Sequence, residues 1–173
     1  MNNIADLLDQ ATVFESTGDY ARAERCYIYA LELKERTFGR EHPALATDLH
    51  NAGLLLFAQD KYEEAERLLS RELTIEEKHY GPDHPELIAT LEHLAAVYFN
   101  QERYAESEFA YRRLIKLIEA TQPINRAELT NHLHNLAEIC ELQGNGNEAQ
   151  ALKRRAQELL DSHMSTACRT RHN

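Results

Sequence analysis

Hydrophobic positions along this chain recur at helical spacing, in segments several turns long that are separated by short polar or glycine-containing links. In one such segment Leu49, Ala52, Gly53 and Leu56 follow each other at steps of three and one. That spacing places them on one face of an α-helix, which is typical of a helix packed on one side. The pattern predicts eight helices, at about 3–16, 20–38, 43–58, 62–78, 85–100, 104–120, 125–142 and 146–163.

The whole pattern returns with a period of 42 residues, since His42-Pro43 recurs as His84-Pro85. Other series on this period are Tyr20, Tyr62, Tyr104; Ala23, Ala65, Ser107, Ala149; and Val13, Leu55, Val97, Ile139. A fixed period of this size indicates stacked supersecondary units. We therefore predict an all-α fold, an α-solenoid of four antiparallel helix pairs, as a single domain over 1–163. The predicted repeats are about 1–42, 43–84, 85–126 and 127–163, followed by a frayed or disordered tail at 164–173.

Two kinds of residue are expected to shape the contacts between helices. Gly53 and its equivalents should meet Ala65 and its equivalents, because small side chains let two antiparallel helices approach closely. His42 and His84 precede proline in the links between pairs. We expect them to hydrogen-bond the turn rather than to perform chemistry.

Composition narrows the class of protein and its partners. The formal net charge of −10 disfavours nucleic acid and anionic membrane, both of which are polyanions. No apolar run approaches the roughly 18 residues of a membrane span, and the N-terminus lacks the basic and apolar regions of a secretory signal. Cys26, Cys140 and Cys168 match no metal or disulfide spacing. These features predict a cytoplasmic protein in a reducing compartment.

The residues at the repeat positions resemble the tetratricopeptide repeat (TPR), over about 3–163. The likeness is carried by Asn51-Ala52-Gly53, Leu56, Tyr62 and Ala65 and their equivalents. The 42-residue spacing and the Gly-x-x-His-Pro link are similar to the kinesin light chain and nephrocystin-3 type of the family. The resemblance implies a superhelix that binds a protein segment in a concave groove lined by the first helix of each pair. The fold itself does not define the partner.

The residues predict the same groove independently. In the second pair His50, Asn51 and Leu54 point away from the core, with Phe57 at their edge, and Phe99 follows in the third pair. A helix that is apolar nearly all round is either enclosed or presents a binding surface. Acidic residues occupy groove positions mainly in the outer pairs: Asp9, Glu15, Glu92, Glu138 and Glu141. We expect a groove that is apolar in the middle and acidic at its ends, suited to a segment with apolar anchors and basic flanks. Alternatively, the phenylalanines pack into helix junctions and the acids are merely solvated.

Asn51 and Asn135 share the groove face, where an amide can donate to and accept from an extended peptide backbone. The alternative is that they are ordinary exposed polar residues. The predicted partner-binding set is His50, Asn51, Leu54, Phe57, Glu92, His93, Ala96, Phe99, Asn100, Asn131, His134, Asn135 and Glu138.

Catalysis and metal binding are not predicted. His50, His93 and His134 fall on successive first helices, which we expect to keep them about 10 Å apart, too far to share a metal. A milder hypothesis is that partner affinity changes as they protonate. Gly144-Asn145-Gly146 is a helix–helix turn rather than a phosphate loop, and no catalytic Ser–His or Cys–His arrangement is recognisable. We predict a non-enzymatic protein without cofactors.

A second hypothesis is self-assembly. Leu7, Leu8, Val13 and Phe14 form an N-terminal edge without an evident polar cap, which would suit a second subunit in a homodimer. Size in solution distinguishes a stable dimer from a monomer with an open groove.

Overall fold

A computed structural model describes the backbone of residues 3–169 and the side chains of residues 3–161. These residues form eight α-helices, and a short 3-10 turn, Pro43–Leu45, precedes the third. The helices are α1 (Ile4–Ser16), α2 (Tyr20–Phe38), α3 (Ala46–Phe57), α4 (Tyr62–Tyr80), α5 (Leu87–Asn100), α6 (Tyr104–Ala120), α7 (Arg126–Leu142) and α8 (Gly146–Arg169). Each odd-numbered helix packs against the next to form a pair. The predicted all-α superhelix of paired helices is confirmed.

The turn inside each pair has the same backbone geometry. Its left-handed residue is Gly18, Asp60, Glu102 or Gly144, with φ of 78°, 58°, 60° and 82°. These positions follow the 42-residue period. Since only two of the four are glycine, packing of the helices on either side holds the other two in a conformation that L-residues usually avoid.

The links after the first and second pairs are held by their histidines, as predicted. His42 Nδ1 accepts a hydrogen bond from the backbone N–H of Ala44 at 3.1 Å, and His84 Nδ1 accepts from that of Glu86 at 3.2 Å. Each ring also stacks on the last aromatic residue of the preceding helix, Phe38 at 5.0 Å and Tyr80 at 4.8 Å between centroids. The histidines therefore fix the direction in which the next pair begins.

The predicted core face of α3 is buried, and its glycine is required by close packing. A Cβ on Gly53 would lie 2.9 Å from side-chain atoms of Leu69, a distance that real Cβ contacts do not tolerate. The closest neighbour is thus Leu69 rather than Ala65, because α4 contributes its larger side chain at this level. In the third pair the equivalent small residues do meet, since the Ser107 hydroxyl donates to the Ala95 carbonyl at 2.7 Å.

We use the term joint for the contact between consecutive pairs. Each joint buries one member of a periodic series, namely Leu55, Val97 and Ile139, whereas Val13 in the first pair is 59% exposed. An arginine on each of α4, α6 and α8 also pairs with a glutamate of the preceding second helix. These pairs are Arg71–Glu35, Arg113–Glu77 and Arg155–Glu119.

Four predicted helix ends differ from the structure by two residues or more, including that of α4, which ends at Tyr80 rather than at about 78. α3 begins at Ala46 and α5 at Leu87, because the residues directly after each His-Pro form a 3-10 or other tight turn. α8 continues to Arg169, beyond the predicted end at 163, because no glycine or proline interrupts the helix there. The frayed or disordered tail at 164–173 stays a prediction. Residues 170–173 lie outside the described part of the chain. The domain and repeat boundaries stay predictions.

Candidate partner-binding groove

The groove face is the side formed by the first helices, α1, α3, α5 and α7. On this face the rings of His50 and His93 meet edge to face, 4.9 Å between centroids. The expectation that the groove histidines lie about 10 Å apart is therefore wrong for this pair, because their side chains reach across the space between α3 and α5. His134, on α7, is exposed.

One cavity brings five predicted residues together. We call it the Phe99 pocket, a depression of about 140 Å³ between α5, α6 and α7. Its lining is Ala96, Phe99, Asn100, Tyr111, Asn135, Glu138 and Ile139. Asn135 Nδ2 donates to the hydroxyl of Tyr111 at 3.2 Å, which orients the amide at the pocket wall. Tyr111 and Ile139 were absent from the predicted set because their positions in the repeat are core positions.

The other predicted amides have different surroundings. Asn100 Nδ2 donates to the Ala96 carbonyl of its own helix at 2.8 Å, so its donor group is already engaged. Asn51 is half-buried between neighbouring side chains, and Asn131 is exposed near the start of α7. These asparagines therefore form no continuous ladder. Asn100 and Asn135 both line the Phe99 pocket, but only the amide of Asn135 is oriented by a side chain of another helix, that of Tyr111.

The two phenylalanines also take part in helix packing. Phe57 contacts Tyr62 edge to face at 5.6 Å between centroids, and Phe99 contacts Tyr104 in the same way at 5.8 Å. Both rings are half-buried, as are Leu54 and Ala96. The alternative of junction packing thus holds in part, while Phe99 still contributes a face to its pocket.

A second cavity on the groove side was not predicted. We call it the acid pocket, a space of about 290 Å³ between α3, α4 and α5. Glu72 and Glu76 line it, although these side chains are only 3% and 9% exposed. The remaining lining residues are Pro43, Ala46, Thr47, His50, Ile75, His79, Tyr80, Glu86, Ala89 and Thr90.

The two acids have different partners. His50 Nδ1 lies 3.0 and 3.1 Å from the two carboxylate oxygens of Glu72. Thr90 Oγ1 donates to Glu76 Oε2 at 2.7 Å. Buried carboxylates are costly unless they are paired. Glu72 therefore holds the His50 ring in place on the groove face.

These contacts shift the titration of the cluster. Burial raises the pKa of Glu76 to about 7, against the opposing hydrogen bond from Thr90, and the neighbouring charge of Glu72 raises it further. The hydrogen bond to Glu72 raises the pKa of His50. Burial and the proximity of His50 lower the pKa of His93.

A signal for these acids was present in the periodic pattern. Glu72 belongs to the series Ala30, Glu72, Leu114, Ala156, and Glu76 to the series Lys34, Glu76, Ile118, Leu160. Ala30, Leu114 and Ala156 are fully buried. Glu72 therefore places a carboxylate where the other repeats have buried apolar residues, which is unusual for a position that serves packing alone.

Glu108, Cys140 and Glu148 are the group of potential metal ligands found among the described side chains, with ligand atoms within 4.8 Å of one another. Arg112 already bridges both carboxylates, 2.7 Å from Glu108 and 2.6 Å from Glu148. The guanidinium balances one of the two carboxylate charges and bonds to both groups, so Glu108 and Glu148 have a structural partner within the chain.

None of the helices described here combines the length and hydropathy needed to cross a lipid bilayer.

Stacked helix pairs with a pocketed groove define the class of helical-repeat proteins. The tetratricopeptide-repeat model matches residues 3–78 and 49–120, which together cover more than half of the chain. The chain belongs to the tetratricopeptide-repeat family. Members of this family are generally non-catalytic interaction modules, and the fold supports a role as a protein-interaction scaffold.

Solved structures share this fold at low identity. BtubC (BKLC) from P. vanneervenii superposes with a TM-score of 0.84 at 17% identity, covering 92% of this chain and 64% of that protein. A Podosopora anserina protein described as a kinesin light chain with nearly identical TPR-like repeats gives 0.78 at 20% identity, covering 92% and 76%. MamA from Desulfovibrio magneticus gives a TM-score of 0.69 at 17% identity, covering 92% of this chain and 77% of that protein.

The chain thus spans less than two thirds of BtubC. The resemblance to the kinesin light chain type of TPR protein is confirmed for the fold. No curated protein matches the chain in sequence.

Proposed function

We propose that this protein is a non-catalytic scaffold that holds an extended segment of a partner protein along its groove face. The observation that carries the proposal is the Phe99 pocket, because it joins an aromatic wall, an oriented amide and a carboxylate in one depression. Ligand sites in proteins combine apolar walls with a few placed polar groups in this way, although this one suits a single side chain.

In this proposal an apolar side chain of the segment enters the Phe99 pocket, and Asn135 hydrogen-bonds the segment's backbone. Glu138 lines the same pocket, and Glu92 lies half-buried on α5. With a net charge of −10, these acids favour a segment with basic flanks over nucleic acid or an anionic membrane. Because the acids of the groove ends are solvated, affinity should fall as salt rises.

A random peptide library displayed on phage tests the groove. Peptides selected on the wild-type protein should bind at least tenfold more weakly to a Phe99→Ala, Asn135→Ala variant, which loses the anchor wall and the amide. Phe109→Ala is the matched control, since Phe109 is 70% exposed and lies outside the pocket. Selected peptides that bind the double variant and the control equally would refute the groove. Circular dichroism checks that both variants keep their helices.

Self-assembly through the N-terminal edge is the alternative. Leu7 is buried, Leu8 and Phe14 are half-buried, and Val13 is the largely exposed member of the predicted apolar set. Elsewhere this edge is polar, because Asn3 and Gln10 stand where the later repeats have buried apolar residues. The polar edge favours the groove over a homodimer. Sedimentation velocity measures the outcome: a stable dimer abolished by Val13→Asp would support assembly instead.

We also propose that the protein works in the cytoplasm. Cys26 and Cys140 are both free thiols, and a reducing compartment keeps them so.

A further inference from the structure

The acid pocket contains a buried carboxylate, that of Glu76, which forms no ion pair with another described side chain. Glu72 is paired with His50, whereas Thr90 is the one hydrogen-bonding partner of Glu76 among the described side chains. A neutral hydroxyl cannot balance a carboxylate charge that is 91% shielded from water, given its 9% exposure. The Oε1 atom of Glu76 is left without a donor beside an open cavity. Such a group is costly for folding alone and valuable for a cation that enters from outside.

The walls of the pocket suit one kind of cation. Pro43, Ala46 and Ile75 offer apolar surface, and Tyr80 offers an aromatic ring beside them. Long basic side chains bury their methylene stems on such surfaces while their charged heads seek polar groups. Aromatic faces attract the same heads. Glu86, an exposed carboxylate of the lining, adds negative charge.

We propose that the acid pocket binds the ammonium or guanidinium group of one lysine or arginine of the partner segment, held by the carboxylates of Glu72 and Glu76. This inference rests on the proposed groove function and adds a specific charged anchor to it. At about 290 Å³ the pocket falls just below the range of about 300–1,000 Å³ of small-molecule sites, so it suits one side chain rather than a cofactor.

The remaining titratable groups around the pocket sharpen the inference. The lining includes Glu86, His50 and His79 besides the two buried acids, and His93 touches His50 from α5. A proton on Glu76 competes with the incoming cation, and a protonated His50 repels it. Both effects weaken binding as the pH falls below about 7, the pKa of Glu76. Lys34 does not fill the pocket, because it pairs with Asp48 in the first joint.

The test uses Nα-acetyl-lysine methylamide as the probe and the complete chain as the receptor. Backbone amide signals of Ala89 and Thr90, both in the pocket lining, are followed by NMR at pH 7.5 and low salt. The norleucine analogue, which has the stem without the charge, is the matched control ligand. Glu76→Gln and Glu72→Gln remove one charge each, and Glu63→Gln removes an exposed carboxylate elsewhere on α4.

We expect saturable shifts with the lysine probe, none with the norleucine analogue, and at least tenfold weaker binding to both pocket variants. Glu63→Gln should bind as the wild type does. Glu76→Gln keeps an acceptor for Thr90, so its fold is expected to persist, and its spectrum verifies this. Equal shifts with both ligands, or unchanged binding to Glu76→Gln, would overturn the inference. Because the probe needs no peptide groove, a failure here differs from a failure of the phage selection.

Discussion

The first and second joints place opposite chemistry at the same two positions of the repeat. In the first joint Lys34 Nζ lies 2.6 Å from Asp48 Oδ2 and donates to the Ala44 carbonyl at 3.1 Å. In the second joint Glu76 replaces the lysine, and Thr90 replaces the aspartate. A compensated buried charge in the first joint serves the fold. An uncompensated one in the second joint, beside a cavity, points to an external partner.

Breaking the first joint should have the largest effect. Lys34→Met leaves Asp48, which is 2% exposed, as an unpaired buried charge, so we expect a loss of about 3–5 kcal/mol in the free energy of unfolding. Urea denaturation measures it. Lys78→Met is the matched control, because Lys78 and Glu41 form an exposed pair at 2.8 Å and their loss should cost less than about 1 kcal/mol. Equal losses in the two variants would contradict the role assigned to Lys34.

Giving the second joint the two residues of the first joint tests whether these positions are equivalent. Thr90→Asp alone places a second carboxylate against Glu76, and we expect a loss of about 3 kcal/mol at pH 8. Adding Glu76→Lys recreates the ion pair and should recover most of that loss, within about 1 kcal/mol of the wild type. The double variant should also stop binding the lysine probe. If Glu76→Lys fails to rescue Thr90→Asp, the two joints are not equivalent at these positions.

The raised pKa of Glu76 should show in the pH dependence of stability. The pKa of Glu76 is raised to about 7 in the folded protein, so the folded state holds this proton more tightly than the unfolded state. Stability contributed by the protonated group is therefore present at low pH and is lost as pH rises toward and through 7. Glu76→Gln should be more stable than the wild type by about 1–2 kcal/mol at pH 8, a value discounted because the carboxylate borders an open cavity.

At pH 5 the difference between the two proteins should fall below about 1 kcal/mol, because Glu76 is then neutral in the folded protein and ionised only in the unfolded chain. A stability difference that stays constant from pH 5 to pH 8 would show that Glu76 does not titrate as assigned.

The outer charges of the joints should matter least. Arg113 pairs with Glu77 at 2.5 Å and donates to the Pro82 carbonyl at 2.7 Å, but both side chains are partly exposed. Arg113→Met should cost less than about 1 kcal/mol, and the cost should shrink in high salt. A salt-independent loss above about 2 kcal/mol would show that this pair stabilises the fold as strongly as the buried pair of Lys34 and Asp48.

The architecture was predictable because it depends on repetition. Leu49, Gly53 and Leu56 lie at helical spacing within one segment, and the same face returns 42 residues later. An atypical residue in one repeat is therefore outweighed by the equivalent residues of the other repeats. The role of His42 and His84 followed from their position before proline. Helix ends were harder, because the tight turn after each His-Pro delays α3 and α5 and no breaker ends α8 at 163.

The candidate binding site was only partly predictable from the repeat pattern. Residues opposite the core, such as Ala96, Phe99 and Asn135, could be placed on the groove face from spacing alone, and they share one pocket. Glu72 and Glu76 escaped notice because acids on a helix are usually solvated. Spacing also fixes the helix that bears a side chain but not its reach, so the contact between His50 and His93 was missed.

The changing chemistry of the joints has a consequence for the order in which the repeats assemble. A stack of identical units can fold with pairs skipped or exchanged between chains, a common failure of repeat proteins. Docking the second helix of one pair onto the wrong first helix would here set Glu76 against Asp48, or leave Lys34 facing Thr90 without an anion. Each mismatch buries an unpaired or repelled charge. The buried polar residues of the first two joints thus favour the correct pairing of consecutive repeats over misassembled stacks.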